Sequence, residues 1–474
     1  MLFKDVYPGF DLDTNLIYKK GLLIKIKFHL IDTKTNTEYV YKLEQDTPTK
    51  AKMLDSYNNC LSELDLKISE LSESLVKIIT AILISSLEQQ RNKIEMFMRP
   101  HFKAPKKNSS TPVTPAQIKL AYNLPSTSPY SKPPVITLIN VYDKSFTNSN
   151  NNQIKQITND LKLFCATHSL TVPNKDINVY SLWKTGNAGS NGWYIETTLD
   201  VQGAYSMNQN AIIQVVLAAS NSYNDLNNAI KFAINPGNNV GSNASSFLAA
   251  DIISMSFGGG ETTSFESSFA STSSVCFFAS AGDALGIEYP ASSPNVVSVG
   301  GTSLTLLNGV RRETVWNNSS TNCTGCGVSK IFTRPTFQNS VTTNSRRCDN
   351  DISAVSDPNT GLQIYVNGNT QIVGGTSLAS PLCAGIFSIA VGDRKNLVKA
   401  ASALTTNYTN YTKNPSLKLL QNFIYSNLTS KISTNFNDIT AGTVGSFSTG
   451  TGYDIPTGLG SPNGSTLIKA LINF

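Results

Sequence analysis

The sequence predicts an α/β protein. Its expected fold is a doubly wound, mostly parallel sheet flanked by helices, preceded by a small α+β N-terminal segment. Three observations predict this. Short apolar runs of strand length recur at Val135–Val141, Ile252–Phe257, Val275–Ser280 and Val296–Val299, and the last three run into glycine turns. Stretches with helical periodicity alternate with such runs, the pattern of a parallel sheet with helical crossovers. The composition also breaks at a polar, proline-containing stretch, 103–113, which sets residues 1–102 apart from residues 114–474.

The chain has 474 residues, 40% of them apolar and 15% charged, enough for a large core and more than one domain. The net charge of +6 is spread out, and its main cluster is Lys103, Lys106 and Lys107. A nucleic-acid partner is therefore not expected. Met1–Val6 lacks the apolar core of a signal peptide, and the most apolar run, 78–87, is too short to span a bilayer. No membrane span is expected, and no compartment is indicated. Seven cysteines leave at least one free or paired between chains. Cys323, Cys326 and Cys348 lie close in sequence without a histidine to complete a zinc site. A Cys323–Cys348 or Cys326–Cys348 disulfide is expected, with three free thiols as the alternative.

In chain order, Leu22–Leu30 alternates, with Ile24, Ile26 and Phe28 on one face and Lys25, Lys27 and His29 on the other. A turn at 32–36 leads to a second strand over Glu38–Leu43, which makes a hairpin. Leu54, Leu61, Ile68, Leu75 and Ile82 then fall seven apart, with Leu64, Leu71 and Ile78 between them. This heptad seam predicts a long helix. It would pack on the hairpin or support self-association through residues 54–85. The stretch 103–113 is expected to be an exposed linker open to proteolysis. Beyond it, Val135–Val141 reads as a buried strand and Ile154–His168 as a helix with Ile157, Leu161 and Phe164 inward. Ile177–Leu182 reads as a strand, and Tyr194–Ala218 as mostly helix. Reactive groups in such a sheet gather at the carboxyl ends of its strands.

The candidate nucleophile lies in Gly374-Gly375-Thr376-Ser377-Leu378-Ala379-Ser380-Pro381, where a glycine turn delivers a serine ahead of an apolar helical run, Leu382–Val391. A hydroxyl at a helix N-terminus sits beside backbone N–H groups able to hold an oxyanion. The same five letters recur at Gly300–Leu304, but between strand-like flanks, so Ser303 reads as a turn residue. A serine nucleophile needs a base. His29 and His101 precede the linker, and His168 ends a surface helix. Carboxylates offer another route. Glu196 and Asp200 lie one helical turn apart on one face, and close carboxylates split their protonation so that one can act as base. Read alone, the pair is also an ordinary solvated helix face. Asp283, in the glycine turn Ala279–Gly286, could donate to an oxyanion when protonated. Read alone, it is a turn aspartate.

Together these stretches resemble the sedolisin family of serine-carboxyl peptidases. The resemblance spans about residues 114–474 and rests on ordered motifs. These are Thr114–Tyr122, Glu196-Thr-Thr-Leu-Asp200, Ser254-Met-Ser-Phe-Gly258, Ser280-Ala-Gly-Asp283, Tyr289-Pro-Ala-Ser-Ser-Pro294, Asp357-Pro-Asn-Thr-Gly361 and Gly375-Thr-Ser377 with Pro381. It implies a subtilisin-like fold in which a glutamate takes the histidine's place. It further implies hydrolysis of protein or peptide substrates at acidic pH, with Ser377 as nucleophile, Glu196 as base, Asp200 supporting it and Asp283 at the oxyanion. Whether cleavage is internal or releases tripeptides stays open. The resemblance also implies one Ca2+, held by the side chains of Asp438 and Asp454 and the carbonyls of Ile439, Gly450 and Gly452. Residues 1–102 would be a pro-segment. A histidine-based subtilisin is not supported, because no His-Gly-Thr-His motif is present. The alternative from another class is a catalytically inactive sedolisin-fold structural or binding protein.

Overall fold

The computed structural model describes residues 2–7, 10–19, 22–32, 37–47, 50–54, 60–64, 98–105, 112–146, 150–182, 192–238, 247–272, 274–403, 420–425 and 432–473. The chain divides into two compact units, Met1–Glu95 and Met96–Phe474.

The first unit holds a six-stranded antiparallel meander whose strands pair in chain order. Leu22–Asp32 and Thr37–Thr47 form the hairpin read from the alternation, in register from Lys25↔Glu44 to Asp32↔Thr37. The heptad helix does not begin where expected. Leu54 closes the strand Lys50–Leu54, and Leu61 and Leu64 lie in the next strand, Cys60–Leu64. Each new strand of a meander finds a ready row of backbone partners, and this pairing overrides a periodicity that only three of its positions support here. Ile68 to Ile82 lie outside the described residues, so the surface expected for self-association loses its first heptad.

The second unit is built on an eight-stranded sheet. Its strands run in the order 310–315, 297–307, 276–280, 252–255, 135–141, 212–218 and 178–181, and 352–355 also pairs with 299–302. All pairs are parallel except Val310–Val315 against Val297–Leu307. Strand Val135–Val141 is buried along its length because both faces are covered. Ile136 and Leu138 enter one core with Leu199, Leu378 and Leu382. Ile139 and Val141 enter the other, with Leu226 and Ile230. Each such side chain contributes about 1.5–3 kcal/mol by leaving water.

Two helices carry the reading forward. Trp193–Met207 is shorter than expected, because Ile212–Ala218 is a strand inside the sheet. Its β-branched run Ile212-Ile213 and Val215-Val216 suits a pleated, doubly covered surface better than a helix. Thr376–Ala403 begins at the glycine turn and contains Pro381 as its sixth residue. The missing N–H of Pro381 leaves the Ser377 carbonyl without its helical donor, and the Ser256 hydroxyl lies 3.3 Å from that oxygen. The second copy of the pentad is different from its reading as a turn. Gly300–Leu304 lies within the continuous strand Val297–Leu307, and Ser303 donates to Asp357 at 2.6 Å.

The boundary at 102/103 also moves. Residues 98–105 belong to the second unit. Arg99–Pro100 pairs antiparallel with Phe257–Gly258, and Lys103 exchanges backbone hydrogen bonds with Gly374 at 3.0 and 2.8 Å. At the far end of the expected linker, the Val113 N–H donates to Gly361 at 3.0 Å. Residues 106–111 lie outside the described residues. An extended segment with free backbone donors and acceptors adds readily to exposed backbone edges, and a sequence reading has no access to that edge.

Candidate active site

Ser377, Glu196, Asp200 and Asp283 are brought together at the carboxyl ends of the central strands. The sheet winds outward in both directions from Val135–Val141, which places the groups at a topological switch point. Glu196, Asp200 and Ser377 are fully buried, and Asp283 is 6% exposed. The solvated-face reading of the Glu196–Asp200 pair is therefore not what the fold does with it.

Asp200 is held from the strand Val135–Val141 and from the residue just past the strand Ile252–Met255. Its Oδ2 accepts from Asn140 at 2.8 Å, and its Oδ1 accepts from the Ser256 hydroxyl at 2.5 Å. Burial pushes its carboxyl up to about 7 against these two bonds. Glu196 is pushed well above the ordinary carboxylate range, first by burial and then by Asp200. The Ser377 side chain is the hydrogen-bonding neighbour that favours its ionised form. In this conformation, however, the Ser377 hydroxyl donates to the Ser256 carbonyl at 3.2 Å, and neither Glu196 oxygen has a partner at hydrogen-bonding distance. A buried carboxylate without partners is costly. A small rotation of the Ser377 hydroxyl toward Glu196 would supply one.

Asp283 is oriented by the nucleophile's own turn. Its Oδ1 accepts from the Thr376 N–H at 2.8 Å and the Thr376 hydroxyl at 3.0 Å, while its Oδ2 is buried and unpartnered. Burial raises its pKa; His101, Thr376 and Lys103 oppose that rise. Gly375, at φ +101°, makes the turn that an L side chain would strain. A Cβ there would sit 2.3 Å from the His101 carbonyl oxygen and 2.6 Å from Asp283 Oδ2, so both oxygens lie close to this turn.

The segment 98–103 fills the cleft. The Ser377 N–H donates to the His101 carbonyl at 2.9 Å, and the His101 N–H donates to the Ser256 carbonyl at 3.2 Å. Met98 exchanges bonds with Asn221 at 2.9 and 2.8 Å. The His101 ring is occupied by Ser280 and Glu288, both at 2.8 Å. His168 contacts the Gln363 carbonyl, away from this cluster. Sequence reasoning missed Asn140, Ser256, Thr376, Glu288 and the cleft position of His101. Asn140 carried a signal as the polar residue in an apolar strand. The others carried none, because their roles depend on residues more than fifty positions away.

At the C-terminal end, Asp438 Oδ2 accepts the Gly452 N–H at 2.9 Å and Asp454 Oδ2 accepts the Gly450 N–H at 3.0 Å. Asp454 Oδ1 is held by the Thr457 N–H and hydroxyl at 2.9 and 2.8 Å. Asp438 Oδ1 is buried and without a partner. Among the described residues no group of three or more His, Cys, Asp or Glu side chains is placed to hold a metal. Cys323, Cys326 and Cys348 are free thiols, which corrects the expected disulfide. Cys348 turns to the Thr342 hydroxyl and the Arg346 carbonyl, while Cys323 and Cys326 pack with Val315 and Val444.

A model described as the subtilase family matches residues 174–431, a span that contains all four candidate residues. Kumamolisin from Bacillus sp. (strain MN-32) is 30% identical over 306 residues, which are 58% of this chain and 50% of kumamolisin. Sedolisin from Pseudomonas sp. (strain 101) is 34% identical over 192 residues, 38% of this chain and 29% of its own. The chain thus spans half the length of the first of these relatives and less of the second. Pseudomonas sedolisin, solved as a serine-carboxyl proteinase complexed with two molecules of pseudo-iodotyrostatin, matches with a TM-score of 0.58 at 23% identity, covering 77% of this chain and 99% of that one. That likeness is one of fold, the subtilisin-like sheet and helices described above. The matched span and these relatives place the chain in the subtilase family, within its sedolisin group of serine peptidases.

Proposed function

We propose that this chain is a serine-carboxyl peptidase. Ser377 attacks a peptide carbonyl while Glu196 takes its proton and returns it to the leaving amine. Asp200 holds and tunes Glu196. The Ser377 N–H and a protonated Asp283 hold the oxyanion. The observation that carries this reading is the segment in the cleft. It runs as an extended strand between two backbone edges, with the His101 carbonyl on the Ser377 N–H and the orphan oxygen of Asp283 beside the same turn. This supports reading the segment as a peptide held for cleavage after His101. The inactive alternative leaves Glu196 buried and unpartnered without a reason, and it is not favoured.

The pose moves the expected cut from the 103–113 stretch to the His101–Phe102 bond, and it makes residues 1–101 the pro-segment. Incubating the purified full-length chain at about pH 5, above the ordinary carboxylate pKa of about 4, should yield a fragment whose first residue is Phe102. Ser377→Ala should yield none. Equal processing of that variant in pure form, or a first residue elsewhere, would remove the cleft segment as support. The segment continues past Arg99 to a fully buried Met98, so the cleft takes chain on both sides of the bond. This favours internal cleavage over release of tripeptides, which needs a chain end three residues before the cut.

The C-terminal loops fit one Ca2+. Asp438, with its orphan oxygen, and Asp454 would supply the carboxylates, and the carbonyls of Ile439, Gly450 and Gly452 would complete a hard oxygen donor set. The ion would tie these loops together and stabilise the folded state by mass action. Chelation should lower the melting temperature by about 3 °C if calcium was present a hundredfold above its Kd, and Asp454→Ala should abolish that response. A melting curve indifferent to chelator would remove the ion.

A further inference from the structure

We propose that Glu288 reads positive charge at two positions of the bound peptide. The cleft would then select chains with a basic residue just before the cut bond and a second one two residues earlier. This rests on the peptidase reading and adds the substrate class to it. One carboxylate serves both side chains of the cleft segment. Glu288 Oε2 meets His101 Nε2 at 2.8 Å, and Oε1 accepts from the Arg99 guanidinium at 2.6 Å. Pro100 lies between them and turns its neighbours to the same side, as alternation along a strand requires.

The pocket is built for charge rather than for shape alone. The imidazole is 2% exposed and polar on both edges, with Ser280 Oγ 2.8 Å from Nδ1. The Ser280 hydroxyl is also 3.5 Å from the Met255 carbonyl, to which it can donate. Its oxygen is then free to accept from Nδ1, while Glu288 accepts from Nε2. In that arrangement a ring that donates from both nitrogens meets an acceptor at each edge, so the pocket suits a cationic side chain. Glu288 is itself mostly buried; burial pushes its carboxyl up, but His101 and Arg99 outweigh this and hold it at about 2. A peptide with an apolar residue in place of His101 would leave that charge buried without its main partner. Gly258 makes the room. A Cβ there would lie 2.4 Å from the His101 ring and 2.6 Å from Glu288 Oε2.

The two positions should not weigh equally. Arg99 is 66% exposed in its side chain, so its pair is screened by water. His101 is buried, so losing its charge should dominate. The test is binding of labelled hexapeptides Met-Arg-Pro-Xaa-Phe-Lys to the full-length chain carrying Ser377→Ala, Arg99→Gly and His101→Gly. These changes stop cleavage and strip the chain's own segment of both partners of Glu288; each peptide is titrated in excess against that weakened segment, which is the same competitor throughout, so the ratio of apparent affinities is what is read. At about pH 5, below the ordinary imidazole pKa of about 6.5, peptides with Xaa as His or Arg should bind about 30-fold more tightly than those with Leu or Gln. Exchanging the peptide's own Arg for Gln should weaken binding about threefold. Adding Glu288→Gln should flatten the series. Leu and His peptides binding within twofold of each other, or an unchanged order with Glu288→Gln, would overturn the inference. Turnover of the same peptides by the chain with Ser377 intact separates the two readings. Binding in the stated order without any turnover counts against the peptidase reading alone. Turnover with no preference for charge counts against Glu288 alone.

Discussion

Ser377→Ala is expected to lower kcat by about 10⁶, the loss that follows removal of a serine nucleophile. The substrate for this measurement is a peptide carrying Met-Arg-Pro-His before the cut bond. KM should barely change, because the group that holds the substrate carbonyl is the backbone N–H of residue 377, which alanine keeps. Glu196→Gln should bring a loss of similar order, because the buried amide cannot accept the proton. The double variant should be no slower than either single one, since nucleophile and base act as a unit. Single-turnover kinetics separate these effects from binding. A peptide aldehyde should add covalently to the wild-type Ser377 hydroxyl and not to the alanine variant, which mass measurement reads directly. A Ser377→Ala variant within tenfold of wild type would mean that another group attacks.

Asp283 carries the second large effect. Asp283→Ala should lose about 10²–10³ in kcat, the usual cost of one oxyanion donor. Asp283→Asn should lose less. Its amide oxygen can keep the bonds from Thr376, and its N–H₂ can take the place of the orphan Oδ2. The two variants should part in their pH profiles. Asp283 donates only while protonated, so wild-type activity falls as pH rises through its pKa. Burial raises that pKa and moves the fall above the ordinary aspartate value of about 3.9. Glu196 works in the opposite sense. It must be ionised, so activity rises with pH through the ionisation of the Glu196–Asp200 pair, which burial and mutual repulsion also push up. The profile is a bell above the ordinary carboxylate range. The asparagine amide donates at every pH, so Asp283→Asn should keep the acid limb and lose the alkaline one. His101 and Lys103 belong to the cleft segment and both pull the Asp283 pKa down. His101 leaves with residues 1–101 while Lys103 stays, so the alkaline limb should sit higher once His101 has gone. Turnover from about pH 2 to 8 checks this, and an unchanged alkaline limb in Asp283→Asn would end the donor role as the cause of the limb.

Much of this was legible in the sequence, for definite physical reasons. Strands covered on both faces must be apolar throughout, so Val135–Val141 and Ile252–Met255 announce a parallel sheet. A glycine turn ahead of an apolar run marks where Ser377 can stand, and spacing by four puts Glu196 and Asp200 on one helical face. The run Ile212–Ala218 was hidden, because a short apolar stretch after a helix has no period of its own.

What local pattern cannot hold is what meets across the fold. Whether the Glu196–Asp200 face sees water or Ser377 depends on the packing of the helices Trp193–Met207 and Thr376–Ala403 against each other and the sheet. Asn140 and Ser256 reach Asp200 only because adjacent parallel strands end at the same level. The heptad positions Leu54, Leu61 and Leu64 became strand because pairing with a neighbouring strand satisfies more backbone groups than a helix supported over that short span. His101 read as an idle residue before a linker. It lies against Glu288 because the unpaired backbone edges at Phe257–Gly258 and Gly374 accept an extended segment. The sequence by itself determined the sheet, the helices and the reactive residue types, since these follow from neighbours along the chain. The tertiary structure alone decided which carboxylates lost their water, which oxygens were left without partners, and which peptide bond lay on Ser377. Burial and hydrogen bonding at those points are set by residues distant in the chain.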